Sequence, residues 1–249
     1  MKLDVFLSPG EMAPGDVLGR VVAVIDVLRA STSIAAALAN GARSVVPVEG
    51  TDIAIMRAKE FERSQVLLAG EIRMQPIPGF DIGNSPQSFS AEVVSGRTIL
   101  MTTTNGTRAT TNLMGARDVV VAAYVNLTAA AAMLRTAARS DTDISIVCAG
   151  DEGHFSLEDA ACAGRYVRSI SQGSPTSIVH HDAARACELI DGRYGDNIAK
   201  IFGDSVHGQA LIEAGFGDDL VACAAVDSHP VVPLYQDRQI TRLGPDRER

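Results

Sequence analysis

Six short runs of aliphatic, often β-branched residues recur along the chain, with helically spaced segments between them. They are VVAVIDV (21–27), SVVPV (44–48), QVLLA (65–69), RTILMT (97–102), DVVVAA (118–123) and DISIVCA (143–149). None shows the strict apolar–polar alternation of a half-exposed strand, so they read as strands covered on both faces. Helical spacing runs through Ser33–Asn40, Asp52–Glu62, Thr107–Met114, Leu127–Ala138 and Leu157–Ser171. This alternation predicts an α/β protein, a three-layer α/β/α stack built on a largely parallel sheet. Beyond Gln172 the pattern turns α+β. It predicts helices near Ala183–Ile190, Asp196–Phe202 and Ser205–Ala214, strands near Leu220–Ala225 and Gln239–Leu243, and a frayed GPDRER tail.

The same order recurs twice: strand, R-A-[ST]-T, helix, G-A-R, strand, helix, strand, A-G-[ED]. The first copy holds Arg29–Thr32, Gly41–Arg43 and Ala69–Glu71; the second holds Arg108–Thr111, Gly115–Arg117 and Ala149–Asp151. Two similar βαβ-type halves around a cleft follow from this repeat, with ligands expected at equivalent strand ends. A chain of 249 residues accommodates both in one domain, residues 1–249, with sub-halves of about 1–86 and 87–249.

Composition removes several classes of function. The net charge is −8, no Lys/Arg run occurs, and there is no Trp beside eleven Tyr and Phe residues. A nucleic-acid partner needs a basic face or a stacking platform, and neither is present. The four cysteines form no C-x-x-C pair and read as buried small hydrophobes. Asp4 and Pro9 interrupt any apolar leader, and Asn126, Thr128 and Arg135 break the best apolar stretch. The expectation is a soluble cytoplasmic protein with no membrane partner.

Several catalytic signatures do not occur: G-x-x-x-x-G-K-[ST], G-x-G-x-x-G, H-E-x-x-H and G-x-S-x-G. Nor does Asp26-Val27-Leu28 match the D-x-D opening of haloacid-dehalogenase phosphatases. What the chain does carry is polar residues concentrated at strand ends. Asp26 closes VVAVID, and Arg29-Ala30-Ser31-Thr32 opens a helix. A carboxylate, an arginine and free helix N–H groups suit a metal or a phosphate, and equally a capped turn with an ion pair. The second half offers Thr102-Thr103-Thr104-Asn105-Gly106-Thr107-Arg108, whose hydroxyls, amide, glycine and arginine form an anion cradle. Between them runs a 17-residue loop, Gly70–Pro86, with three prolines and three glycines. Loops of that length are often active-site lids, and Glu71 and Asp81 in it are candidate hard-oxygen ligands for Mg²⁺. Asn84 and Ser85 close the loop, and Ser85-Pro86 also suits a helix cap.

A third cluster, CAGDEGHFSLEDAACAG (148–164), contains a capping box at Ser156–Asp159. Helical periodicity turns Glu158 and Cys162 away from the apolar face, which favours Glu158 as a catalytic side chain. His154 reads as a surface loop residue, and His180-His181 as the neighbourhood of a cap. His207 and His229 lack metal-ligand spacing. Asp227 repeats the strand-end carboxylate theme.

VIDVLRAST (24–32), LAGE…PIPGFDIGNSP (68–86), TTTNGTRA (102–109) and CAG…G-x-FSLEDAACAG (148–164) together resemble the ComB-like 2-phosphosulfolactate phosphatase family. S-x-H-G-x-x-L (205–211), G-x-x-D-D (215–219) and Asp227…Val232-Pro233 extend the similarity across nearly the whole chain. The resemblance implies an α/β fold of its own and a Mg²⁺-dependent phosphatase. Its reaction would convert 2-phosphosulfolactate to sulfolactate and phosphate, a step of coenzyme M biosynthesis. Placed on this sequence, it implies catalytic roles for Asp26, Arg29, Arg108 and Glu158. Ser31, Thr32, Asn84, Ser85, Thr104, Asn105, Gly106 and Thr107 would bind the substrate. Metal ligands would come from Asp26, Glu71, Asp81, Glu158 and Asp159, and the nucleophile would be metal-bound water or Asp26. The partner is a small anionic phosphorylated molecule, with room for a homodimer. Two alternatives share these residues: a phosphatase for another small phosphorylated hydroxy acid, and a non-catalytic anionic-metabolite binding protein. A substrate near about −4 is repelled by the whole-protein field, so attraction has to be local.

Overall fold

The computed structural model describes residues 1–104, 113–172 and 178–244. Among these, eleven strands form one sheet with nine α-helices packed around it, a three-layer α/β/α fold. Each apolar run of the sequence supplies a strand: β2 (Val21–Ile25), β3 (Ser44–Pro47), β4 (Val66–Ile72), β6 (Thr98–Thr102), β7 (Asp118–Ala122) and β8 (Ile144–Cys148). Every residue of β2 is buried. Val21, Ala23 and Ile25 face one apolar core while Val22 and Val24 face another, which is why the run shows no alternation. The short β1 (Lys2–Phe6), β5 (Gln75–Pro76), β9 (Val179–His180), β10 (Pro233–Gln236) and β11 (Gln239–Arg242) complete the sheet.

The strand order is β5-β4-β6-β3-β11-β10-β7-β2-β8-β1-β9. Two parallel groups, β4-β6-β3 and β7-β2-β8-β1, are joined by the antiparallel hairpin β10–β11. The repeat is visible in the pairing and is interleaved. β6 lies between β3 and β4, and β2 lies between β7 and β8, so each half contributes its first strand to the other. Residues on either side of position 86 therefore share one sheet.

Register tests the repeat residue by residue. Ser44 pairs with Thr98 and Asp118 with Val21, and each follows its G-A-R directly, so that motif is equivalent in both halves. The A-G-[ED] motif is not. Thr102 pairs with Gly70 and Ile25 with Cys148, which makes Gly70 equivalent to Cys148 and shifts the match by two residues.

The helices are α1 (Ala30–Ala39), α2 (Thr51–Ala58), α3 (Ala91–Val94), α4 (Leu127–Arg139) and α5 (Leu157–Ser171). The C-terminal part adds α6 (Asp182–Tyr194), α7 (Ile198–Asp204), α8 (Val206–Glu213) and α9 (Gly217–Ala224). One expectation fails here: Leu220–Ala225 is not a strand but the second half of α9. A short apolar run does not distinguish strand from helix. Asp218 and Asp219 at the helix start, with Asp219, Leu220 and Cys223 buried on one side, decide for helix. The Thr107–Met114 helix falls mostly on residues outside the described set. All four cysteines are buried and unbridged, and among the described residues no helix is long and apolar enough to cross a membrane.

Candidate active site

Residues at or just beyond the carboxyl ends of β2, β4, β6 and β8 line one cavity of about 380 Å³. Because three antiparallel junctions separate the two parallel groups, these ends belong to strands running in opposite senses. Sheet twist of roughly 20–25° per strand, over the five steps from β6 to β2, turns the strands by more than about 100°, which helps bring such ends together.

Asp26 enters from the end of β2, in a turn held by its neighbours. Ser31 Oγ accepts the Asp26 N–H at 2.9 Å, Asp26 Oδ1 accepts the Ala30 N–H at 3.1 Å, and Thr32 Oγ1 donates to the Val27 carbonyl at 2.9 Å. Burial pushes the Asp26 carboxyl up from 3.8 to about 6. The Ala30 N–H and the charge of His207 oppose the rise, while Glu71 and Glu158 reinforce it. Ser31 and Thr32 are buried and occupied with this turn, so they shape the Asp26 loop and do not line the cavity.

Arg29 lines the cavity, but its guanidinium is already engaged. Nη1 donates to Asp219 Oδ2 at 2.6 Å, Nη2 donates to the Met74 carbonyl at 2.8 Å, and the group stacks 4.4 Å from the centre of the Phe216 ring. Asp219 also accepts from Ser85 Oγ at 2.6 Å. Arg29 and Ser85 thus tie the long loop and the turn after β2 to α9. Arg73 on that loop also lines the cavity and is exposed, and no acidic partner for it occurs among the described residues.

Glu71 is buried at the end of β4. Oε1 accepts the backbone N–H and the hydroxyl of Thr104 at 2.8 and 2.9 Å, and Oε2 accepts the Met74 N–H at 2.8 Å. It therefore fixes both the Arg73–Met74 turn, where both residues have positive φ, and the start of the segment after β6. Asn84 lines the cavity, is 5% exposed, and its Oδ1 has no hydrogen-bond partner among the described residues. Its backbone carbonyl is held by Ser33 Oγ at 2.8 Å. A buried, unpaired amide oxygen is costly unless a ligand completes it. The Gly70–Pro86 segment is thus a structured wall carrying the β4–β5 hairpin rather than an unstructured lid.

Other expected ligands stand elsewhere. Asp81 accepts the Leu68 N–H at 2.8 Å and pairs with Arg63, outside the cavity. Asp159 is buried, accepting the Val27 N–H at 2.9 Å and the Gly150 N–H at 3.2 Å. It thereby bolts the loop after β2 to the loop after β8. Burial, then the nearby Asp26 and Glu158 carboxyls, push Asp159 well up. Glu158 is buried in the first turn of α5 behind Asp26, and is not part of the cavity wall. Asn105, Gly106, Thr107 and Arg108 lie outside the described residues, and of the threonine run Thr103 and Thr104 reach the cavity. Asp227 caps α4 through Thr128, and His181 precedes α6 as its cap residue, so neither stands at the site.

The cavity also holds Asp151, Glu152 and His207, which sequence reasoning passed over as site residues. Spacing could not reveal His207, because its polar neighbours in the cavity come from other elements. Its one signal was the S-x-H-G context: Ser205 caps α8, and a Cβ on Gly208 would meet the Phe202 carbonyl at 2.0 Å.

The sequence profile of the family described as 2-phosphosulpholactate phosphatase matches residues 6–238, a span that holds every cavity residue named above. The chain belongs to that family. A probable 2-phosphosulfolactate phosphatase of Symbiobacterium thermophilum is 40% identical over 228 residues, 92% of this chain and 96% of that protein. One from Caldanaerobacter subterraneus subsp. tengcongensis is 39% identical over 222 residues, 89% of this chain and 90% of that protein. One from Thermotoga maritima is 37% identical over 214 residues, 86% and 88% of the two chains. As a 2-phosphosulpholactate phosphatase family member, the chain keeps the family match across both halves of the repeat, not on one half alone.

Proposed function

We propose that this chain is a cytoplasmic, Mg²⁺-dependent phosphatase that hydrolyses 2-phosphosulfolactate to sulfolactate and phosphate, as in coenzyme M biosynthesis. Beside the family match, the observation that carries the reading is the cavity wall. Asp26, Glu71, Asp151 and Glu152 place four carboxylates around a space meant for an anion. A site that only bound anions would gain nothing from them, whereas a site that recruits a divalent cation would.

The donor set fits Mg²⁺, a hard ion that takes oxygen ligands and is commonly held by one or two carboxylates plus substrate oxygens. Asp26, Glu71 and the unpaired Asn84 Oδ1 would hold it. Among the described residues no three acidic, histidine or cysteine side chains form a cage by themselves. When bound, the ion supplies neutralisation of charge on the transferring phosphoryl group.

The protein's own groups do the positioning. Arg73 receives an anionic end of the substrate at the cavity mouth, and Thr103 and Thr104 border it. Arg29 fixes the Met74 carbonyl and with it the turn that carries Arg73. Arg108 and the Asn105–Thr107 N–H groups remain in the proposal on the strength of the sequence. Asp26 holds the metal or attacks phosphorus. Two measurements bear on these roles. In single turnover in ¹⁸O-labelled water, label in the released phosphate excludes an aspartyl-phosphate opened at its carbonyl carbon. Borohydride trapping of a quenched reaction reveals an aspartyl-phosphate whichever bond its hydrolysis breaks.

The decisive experiment measures phosphate release from 2-phosphosulfolactate and a panel of small phosphorylated hydroxy acids, with Mg²⁺ and with EDTA. The proposal expects the sulfonated substrate to give the highest kcat/KM and EDTA to abolish turnover. A preferred carboxylate-only substrate would overturn the substrate assignment, and binding without turnover would overturn the activity.

A further inference from the structure

Breaking an alkyl phosphate ester leaves an alkoxide, which needs a proton, and the cavity contains a group arranged to give one. Resting on the phosphatase reading above, we propose that His207 is the general acid for the leaving oxygen and that Asp151 is its positioning residue.

His207 and Asp151 come from different elements and meet on the cavity wall, with His207 Nδ1 3.7 Å from Asp151 Oδ1. Nδ1 is thus the ring nitrogen nearer the carboxylate, within ion-pair reach, and Nε2 is the nitrogen left for a ligand. Among the described residues His207 is the one imidazole lining this cavity. It sits close enough to Asp26 for its charge to work against the effect of burial there.

Both partners are held rigidly from behind. Ser205 Oγ accepts the Gly208 N–H at 3.0 Å, and Gly208 packs so tightly on the Phe202 carbonyl that a Cβ there would lie 2.0 Å from it. His207 stands between these two fixed points, in the first turn of α8, with its side chain 19% exposed. Asp151 is fixed by reciprocal backbone bonds with His154, at 3.0 and 2.9 Å, following Gly150 at φ +67°. The Gly150 N–H is in turn held by buried Asp159. Such support from a second layer is what a proton-transfer pair needs, and a distance above hydrogen-bond length is common before substrate closes the site.

In the step itself, the attacking oxygen forms its bond to phosphorus while the bond from phosphorus to the ester oxygen breaks. The electron pair stays on that ester oxygen, which takes the proton from Nε2 and leaves as the hydroxyl of the product. The neutral imidazole then regains a proton from solvent.

The test compares the native protein with His207→Gln, His207→Asn and Asp151→Asn, all with Mg²⁺. Phosphate release from 2-phosphosulfolactate gives kcat and KM, calorimetry gives sulfolactate affinity, and thermal melts report folding. The His207 variants are expected to lose about 10²–10⁴-fold in kcat, with KM and sulfolactate affinity within threefold of native. Asp151→Asn is expected to lose kcat by a smaller factor with the same KM. A His207 variant that folds and keeps kcat within threefold of native overturns the proposal. So does a loss of kcat that appears only with an equal loss of sulfolactate binding. Should both His207 variants fail to fold, Asp151→Asn decides, and an unchanged kcat there overturns it. A native protein that releases no phosphate from any substrate of the panel fails the phosphatase reading instead.

Discussion

β2 and β6 occupy equivalent places, each between the second and third strands of the other half, yet Asp26 follows β2 where Thr103 follows β6. By the same register, Arg73 and Asp151 are counterparts, each three residues beyond the paired Gly70 and Cys148. All four line the cavity. Strand pairing demands only backbone hydrogen bonds and apolar faces, so it survives divergence between halves. Residues just past the strand ends carry no such demand and have become a carboxylate against a hydroxyl, and a cation against an anion. A near two-fold scaffold thus presents an asymmetric wall, suited to a ligand whose two ends differ.

The largest effect should come from breaking that asymmetry at its centre. Asp26→Asn is expected to lower kcat for phosphate release by at least about 10³-fold, against less than about tenfold for Thr103→Ala. Equal losses would mean that the two halves act alike and that the difference between these residues is incidental.

The two arginines on the cavity wall offer the next contrast. Arg29 and Asp219 are 2% and 4% exposed in their side chains, so removing one leaves the other charge buried. Arg29→Ala should cost about 3–5 kcal/mol in urea unfolding. Adding Asp219→Ala should recover part of this loss, because the orphaned carboxylate is removed with it. Exposed Arg73→Ala should stay within about 0.5 kcal/mol of native. A double variant no more stable than Arg29→Ala alone would show that the stacking on Phe216, not the ion pair, dominates.

Much of the scaffold was legible because it rests on local chemistry. Continuous apolar runs gave the buried strands, and Ser156-x-x-Asp159 marked the start of α5, where Ser156 Oγ does accept the Asp159 N–H. The site was legible only in part. Asp26, Glu71 and Asn84 stood out because polar residues ended strands or filled a long loop. Arg29 looked like an anion receptor, and no sequence pattern could have announced Asp219, 190 residues away, as its partner. Asp159 read as a ligand for a similar reason: of the two backbone N–H groups that occupy it, that of Val27 lies 132 residues away, and that of Gly150 belongs to a loop with no periodic pattern. His207 was passed over because its partner Asp151 lies on another element. Long-range pairing of polar groups leaves no periodic trace.

Asp26 also separates the halves in stability. Its carboxyl is raised by burial from 3.8 to about 6, so the folded protein holds this proton more tightly than the unfolded chain does. The stabilisation from the neutral form is fully present below about pH 3.8 and is lost as pH rises through about 6. Above that, the buried carboxylate costs up to about 3 kcal/mol at 1.36 kcal/mol per unit. In EDTA, Asp26→Asn should therefore unfold at higher urea than native at pH 7.5 and at nearly the same urea at pH 4. Thr103→Ala should show no such crossover. A variant less stable than native at pH 7.5 would place the Ala30 N–H bond, rather than burial, in control of this turn.

The smallest effect concerns the counterparts Arg73 and Asp151. Arg73 is exposed at the mouth, so its attraction for an anionic substrate acts through solvent and is screened by salt. Arg73→Ala should raise KM about tenfold at low ionic strength, about 1.4 kcal/mol, and leave kcat unchanged. The gap should narrow as salt is added, because screening weakens the native protein's attraction and leaves the variant little to lose. Arg73→Asp, which makes this half resemble its counterpart, should raise KM further than alanine does. If alanine and aspartate variants had equal KM, charge at this position would not matter, and the opposition between Arg73 and Asp151 would have no bearing on binding.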